Sequence, residues 1–217
     1  VIILGDLDPQ TLTPEIQNEI RASVADRGAL LVLVSGSRAM PHAFASDSPL
    51  AEIVPFTVQP RESYWQGPEK SFRLALTPTG QQHPVMLQSG SLLENEEIWN
   101  ALPPFAWRLS VVAKPGAEIL AVAQPENGEP EQVLTDVRQA AAHLEAIMQH
   151  RARHALIAAQ QVGRGKVLGM AFDGTWRLRY RTGDTYHHRF WGQVMRWGLG
   201  ERLRTGDGLV GQVAADN

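Results

Sequence analysis

The sequence predicts an α/β fold: a doubly wound, mostly parallel sheet with an antiparallel edge. Two aliphatic runs, Val1 to Leu4 and Leu30 to Val34, flank a capped amphipathic segment with short joints. A strand, helix and parallel strand joined in this way make a right-handed crossover. Two more apolar runs, Ala155 to Gln161 and Lys166 to Phe172, meet across "VGRG", whose glycines suit a tight hairpin turn. Lastly, Thr185 to Leu199 places Phe190, Val194 and Trp197 on one helical face with Trp191 beside them.

Val1 to Leu4 ends in Gly5-Asp6 and reads as a buried parallel strand with a polar turn at its carboxyl end. The helix that follows has Thr13 as N-cap, Pro14 at its first position and Glu15 near the positive end of the dipole. Ile16, Ile20 and Val24 line one face, and Gly28 closes it. After the Leu30 to Val34 strand, "SPLAEIVP" from Ser48 adds a short capped helix ended by a proline. Pro60 to Gly80 loosens into strand-like pieces such as "FRLALTP". Ser91 and Glu94 form a capping box ahead of Leu92, Leu93, Ile98 and Trp99, and Ala117 to Ala123 is another buried strand.

A loop over Gln124 to Gly128 leads to a helix of about Glu131 to Gln149, where Leu134, Val137, Ala141, Leu144 and Met148 make a narrow apolar seam. That seam packs on the sheet or, alternatively, makes an oligomer interface through residues 131–149. Neither an internal repeat nor a low-complexity run is present.

At 217 residues the chain buries a core without covalent staples. Its net charge of -3 predicts no general attraction to nucleic acid or to a membrane surface. With no cysteine, disulfides, thiolate-bound zinc and every cysteine nucleophile are excluded. Because the first residue lies inside an apolar strand, the chain reads as an excised piece of a longer protein. Membrane contact is then expected only through segments outside it.

In open α/β sheets ligands bind beyond the carboxyl ends of the parallel strands. That rule gathers Asp6 and Asp8, then Ser35 to Arg38, then Asp173 to Arg179. "SGSRA" has the small-x-nucleophile-x-small form of a nucleophile elbow centred on Ser37, but Ser35 and Ala39 stand where glycines are usual. A serine needs a histidine base, and His42 is too near in sequence while His83 lies in a loop before a proline. Asp6 and Asp8 lack further carboxylates for an oxygen-ligand loop. His150 and His154 have zinc-pair spacing but are flanked by Arg151 and Arg153, and adjacent His187 and His188 point apart. "VGRGKV" lacks the spacer and the hydroxyl of a phosphate loop. No metal or cofactor is implied.

Between Gly163 and Arg204, nine basic residues face three acids, a net +6 within a chain that is -3 overall. In "DGTWRLRYRTGD", Trp176, Leu178 and Tyr180 alternate with Arg177, Arg179 and Arg181, so an extended segment would show one aromatic and one guanidinium face. Arginines paired with Asp173 and Asp184 over a packed tryptophan are the ordinary reading. An anion-binding surface is the functional one.

Six stretches together, "VIILGDLDP", "ADRGALLVLVSGSRAMP", "SPLAEIVP", "HPV", "GRGKVLGMAFDGTWRLRY" and "HHRFWGQVMRWGLG", resemble the class I glutamine amidotransferase-like superfamily. The likeness is to its cysteine-less domains in large bacterial membrane proteins, often beside a von Willebrand factor A domain. A weaker likeness, through the loop His-Pro and the Trp-containing last helix, is to ThuA-like domains. The resemblance implies a flavodoxin-like three-layer αβα sandwich over residues 1–200, lacking its first strand-helix unit. Residues 201–217 are then a linker or the start of a following domain.

Active amidotransferases carry a cysteine at the elbow and a His-x-Glu pair near the carboxyl end. Here the corresponding positions hold Ser37 and Asp173-Gly174-Thr175. Both departures remove the glutaminase chemistry. The resemblance therefore implies a non-catalytic binding or scaffolding module, working with other domains of its parent protein on the extracytoplasmic side of a bacterial membrane. Its ligand site would comprise Asp6, Ser35, Ser37, Arg38, Asp173, Trp176, Arg177 and Arg179. The alternative is a ThuA-like hydrolase of a sugar-related substrate that uses Asp6, His83 or Asp173 as acid or base.

Overall fold

A computed structural model describes residues 1–58, 71–125 and 137–204. Among these residues the strands are β1 (Ile2–Leu4), β2 (Leu30–Val34), β3 (Phe56–Val58), β4 (Phe72–Leu76), β5 (Val111–Ala113), β6 (Glu118–Pro125), β7 (Ala155–Val162) and β8 (Gly165–Met170). The helices are α1 (Pro14–Ala25), α2 (Pro49–Ile53), α3 (Pro78–Gln82), α4 (Leu92–Asn100), α5 (Val137–Arg153) and α6 (Thr185–Arg204). Six strands form one sheet in the order β1-β2-β8-β7-β6-β4, and β3 and β5 pair as a separate antiparallel ribbon. β1, β2 and β8 run parallel, and the antiparallel neighbours β7, β6 and β4 follow towards the far edge. Four of the six strands therefore run the same way, as the fold class predicts.

β2 is apolar throughout because both of its faces are covered. Leu30 and Val32 join Leu168, Met170, Phe190 and Val194 in one core, while Leu31 and Leu33 join Ile20, Val24, Val111 and Val167 in the other. The first core lies under α3, α4 and α6; the second lies under α1, α2, α5 and the β3–β5 ribbon. The result is a three-layer αβα sandwich.

α1 begins at Pro14 as predicted, and Gly28, at φ +70°, donates its N–H to the Val24 carbonyl (3.1 Å) just beyond the helix end. Ser48 caps α2 by accepting from Ala51 N–H (3.2 Å). In α4 only half of the expected capping box forms. Ser91 Oγ accepts from Glu94 N–H (3.4 Å), whereas the Glu94 carboxylate takes the Ser89 hydroxyl. The β7–β8 hairpin turns through Gly163 and Arg164, with Gly163 at φ +55°.

Six expectations need correction. β1 is an edge strand, which leaves Ile3 48% exposed, and in α1 the buried companions of Ile20 and Val24 include Gln17 while Ile16 faces outward. Gln17 is accommodated because its amide donates to the Leu12 carbonyl (2.8 Å). Gln124 and Pro125 end β6 rather than starting a loop. α5 is described from Val137; residues 131–136, with Leu134, lie outside the described residues, and Leu144 and Met148 face solvent at 57% and 61% exposure. Finally, Gly174–Arg179 is a 3-10 helix, whose three residues per turn replace the period-two faces predicted for "TWRLRY". Leu178 is buried while Trp176 and Tyr180 are exposed. α6 runs through Gly200 to Arg204, so its last turn enters the stretch predicted as linker; residues 205–217 lie outside the described residues.

β6 carries an irregularity with a structural use. Its pairing with β7 shifts register between Ile119 and Val122, which turns the Ile119 and Leu120 carbonyls towards Thr77. Thr77 donates its N–H to Leu120 O (3.0 Å) and its hydroxyl to Ile119 O, and Thr77 Oγ1 accepts from Gly80 N–H (3.0 Å). The bulge and the cap together latch α3 to the sheet.

Candidate functional site

The turn after β2 lies beside the end of β1, and Asp6 reaches into it. Asp6 Oδ1 accepts the N–H groups of Ala39 and Met40 (both 2.8 Å), and Oδ2 accepts that of Arg38 (2.9 Å). Three successive backbone donors around one point make an anion-binding concavity. In this protein its own carboxylate fills it. The Arg38 guanidinium closes over the outside, with Nε 3.5 Å from Oδ2. Burial acts to raise the Asp6 pKa, but the hydrogen bonds from Met40, Arg38 and Ala39 and the Arg38 charge outweigh it and hold the carboxyl below its usual range.

Gly36 makes this approach possible. A Cβ at that position would lie 2.0 Å from Asp6 Cγ. Its N–H donates to Met40 O (2.8 Å), which closes the turn around the carboxylate. Ser35 is fully buried, with its backbone N–H on Met170 O (2.9 Å) and its hydroxyl without a partner. Ser37 is exposed, and among the described residues no hydrogen bond joins its hydroxyl to an imidazole. Replacing Ser37 by Ala is expected to leave thermal stability within about 0.5 kcal/mol of the parent, as differential scanning calorimetry would report.

His83 lies at the other end of the sheet. Its ring meets Trp197 edge-on (5.3 Å), and Trp197 O accepts from Lys166 Nζ (2.9 Å) at the amino end of β8. With strands rising about 3.3 Å per residue, β8 alone separates that end from the elbow by roughly 15 Å. Burial, and then the charge of Lys166, lower the His83 pKa to about 4. Asp6, His83 and Asp173 are thus not assembled around one substrate atom.

The third predicted cluster follows β8, the parallel neighbour of β2, and makes its own contacts. The Arg177 guanidinium lies over Trp176 (4.9 Å) and Phe105 (5.2 Å), and Arg179 pairs with Asp184 (2.8 Å). No hydrogen bond or ion pair joins Asp173, Trp176, Arg177 or Arg179 to Ser35–Arg38 among the described residues. His150 and His154 stack at 4.2 Å, and His154 Nδ1 lies 3.3 Å from Arg108 Nη2. Burial and the neighbouring His150, Arg108 and Arg153 charges lower the His154 pKa to about 4.

A cavity of about 310 Å³ opens next to the elbow, and the predicted site residues do not line it. Its walls are apolar, with Leu33, Met40, Phe44, Leu50, Val54 and Phe56 prominent. Lys114 is the cationic group at its edge, where Nζ donates to the Ala51 and Glu52 carbonyls of α2. Burial lowers the Lys114 pKa, with the Glu52 charge acting against it. The sequence signal for this pocket was a loop, "RAMPHAFASDSP", that carries methionine and phenylalanine where polar residues are usual.

No family model matches the chain, and no curated protein does. Among solved structures it is similar to Cytoplasmic Protein STM3548 from Salmonella typhimurium, with 16% identity, a TM-score of 0.60, and coverage of 91% of this chain and 70% of that one. It is also similar to Cytoplasmic Protein STM1381 from Salmonella typhimurium LT2, with 16% identity, a TM-score of 0.56, and coverage of 90% and 70%. These likenesses bear on fold alone. The expected extracytoplasmic location is not upheld: both neighbours are named as cytoplasmic proteins. Among the described residues no helix is long and apolar enough to cross a membrane.

Proposed function

We propose that the chain is a non-catalytic, amidotransferase-like binding module whose ligand occupies the cavity beside the elbow. One observation carries the reading. The three backbone donors best placed to stabilise an oxyanion after β2 are consumed by Asp6, so the turn holds its own carboxylate where a substrate's developing charge would sit. Among the described residues no base is hydrogen-bonded to the exposed Ser37, and His83, the predicted candidate, lies at the opposite end of the sheet.

The cavity is at the lower end of the size range of small-molecule sites, about 300–1,000 Å³, and has their composition of apolar walls with few polar groups. Two of the three Lys114 donors serve α2 carbonyls, which leaves one for a ligand acceptor. The ligand class is therefore a small, mostly apolar molecule with one hydrogen-bond-accepting head group.

Titration calorimetry with octanoate and octanol tests this. Both probes are expected to bind, and Leu50→Trp, which fills the cavity, is expected to abolish both. Lys114→Met should weaken octanoate by about tenfold, the scale of one charge-assisted hydrogen bond, and octanol less. Binding that survives Leu50→Trp, or no binding of either probe, would refute the site. Turnover of glutamine or of a nitrophenyl ester that disappears in Ser37→Ala would refute the absence of catalysis.

A further inference from the structure

We propose that the cleft between α6 and residues 84–90 binds a small phosphate monoester through Lys166, Arg189 and Arg196. The cleft holds about 920 Å³ and lies at the amino end of β8, away from the elbow and its cavity. Arg189, Gln193 and Arg196 follow one another at helical spacings of four and three, so α6 presents them on one face. Lys166 comes in from the sheet, and Leu87 to Gly90 form the opposite wall.

Among the described residues three cations share the cleft and no carboxylate lines it. Two of them are positioned without being neutralised: Lys166 donates to Trp197 O (2.9 Å) and Arg189 donates to Gln88 O. Carbonyl acceptors fix the direction of a side chain and leave its charge intact. Arg196 makes no hydrogen bond or ion pair among the described residues and is exposed. Like charges gathered in one concave space repel, and a bound anion removes that penalty.

The neighbouring charges are used elsewhere. Arg179 pairs with Asp184, Arg177 lies over Trp176, and Arg164 donates to Asp26 O (3.5 Å). With Arg181 over Tyr180 (5.0 Å), the basic residues between 163 and 200 resolve into ordinary partners plus this cleft. Of the neutral side chains in it, the Gln193 amide serves Leu87 O and the Ser89 hydroxyl serves Glu94. Recognition rests on guanidinium forks and one ammonium, which suits a compact dianion with several equivalent oxygens. The lowered pKa of His83, partly caused by Lys166, is in keeping with uncompensated charge at this end.

The test is calorimetry with glycerol 3-phosphate at low and high salt, alongside sedimentation with phosphatidate vesicles to separate a soluble ester from a lipid headgroup. Binding in either arm is expected, weakened by salt and lost in Arg196→Glu, with Arg196→Ala weaker by about tenfold. Gln193→Ala, which removes no charge, is expected to retain most of the affinity. Four results would overturn the proposal: no binding in either arm, binding unchanged in Arg196→Glu, equal losses in Arg196→Glu and Gln193→Ala, or tighter binding of a single-stranded oligonucleotide than of either phosphate monoester. Octanoate binding, and its loss in Leu50→Trp, should be unaffected by Arg196→Glu, so the two sites fail or stand separately.

Discussion

Replacing Asp6 by Ala is expected to destabilise the protein by about 2–4 kcal/mol, because three backbone donors in the β2 turn lose a charged acceptor at once. For a domain of this size that lowers the melting temperature by roughly 5–12 °C. Arg38→Ala is the control, since an exposed ion pair contributes at most about 1 kcal/mol. Gly36→Ala should approach the effect of Asp6→Ala without touching the carboxylate itself, as its Cβ would occupy the space of Asp6 Cγ. Asp6→Asn, which keeps one acceptor oxygen, should fall between.

The pH dependence has a definite sign. The folded-state pKa of Asp6 is lowered, so the folded state favours the ionised form and the contribution is fully present above the unfolded value. It is lost as pH falls from about 5 through the ordinary carboxylate range and then through the folded-state pKa. Melting curves of the parent and of Asp6→Ala should therefore converge in acid. A constant gap between pH 7 and pH 3 would show that Asp6 acts by packing alone.

Gly80→Ala is expected to cost about 3–5 kcal/mol, or to prevent folding of the α3 region. A Cβ there would lie 1.8 Å from Leu120 O and 2.7 Å from its carbonyl carbon, so the obstacle is main chain that cannot rotate away. α3 would have to lift off the β6 bulge, giving up the Thr77 hydrogen bonds and loosening the segment through His83 and Met86. Hydrogen exchange should report faster opening of residues 77–86 while β1, β2 and α1 keep their protection. Thr77→Val tests the same latch more mildly, at about 1–2 kcal/mol, because it removes the hydroxyl and keeps the volume.

The β1-α1-β2 unit and the β7–β8 hairpin were legible because their signals are local: aliphatic runs, a Thr-Pro start, and glycines at positive φ. The filled turn after β2 was not, since it depends on Asp6 meeting amides more than thirty residues further on. Only the glycine at position 36 hinted that something approaches closely. "TWRLRY" misled because alternation reads as a strand, whereas Gly174, where a Cβ would lie 2.6 Å from the Phe105 ring, sets up a tighter coil. The charge excess near the carboxyl end was plain in the sequence. Which of those cations share a cleft depends on α6 meeting a wall about a hundred residues earlier in the chain.

The two margins of the six-stranded sheet differ from its middle in one consequential way. β1 offers only three residues to a neighbour, and β4 has a charged residue, Arg73, facing out at its second position and Phe105 bonded to Phe72 at its first. Brevity on one side, and charge with a covering bridge on the other, deny stray polypeptide a long template of free amides. A concentrated solution of this chain is thereby guarded against fibril-like stacking, even though its central strands are aliphatic enough to promote it.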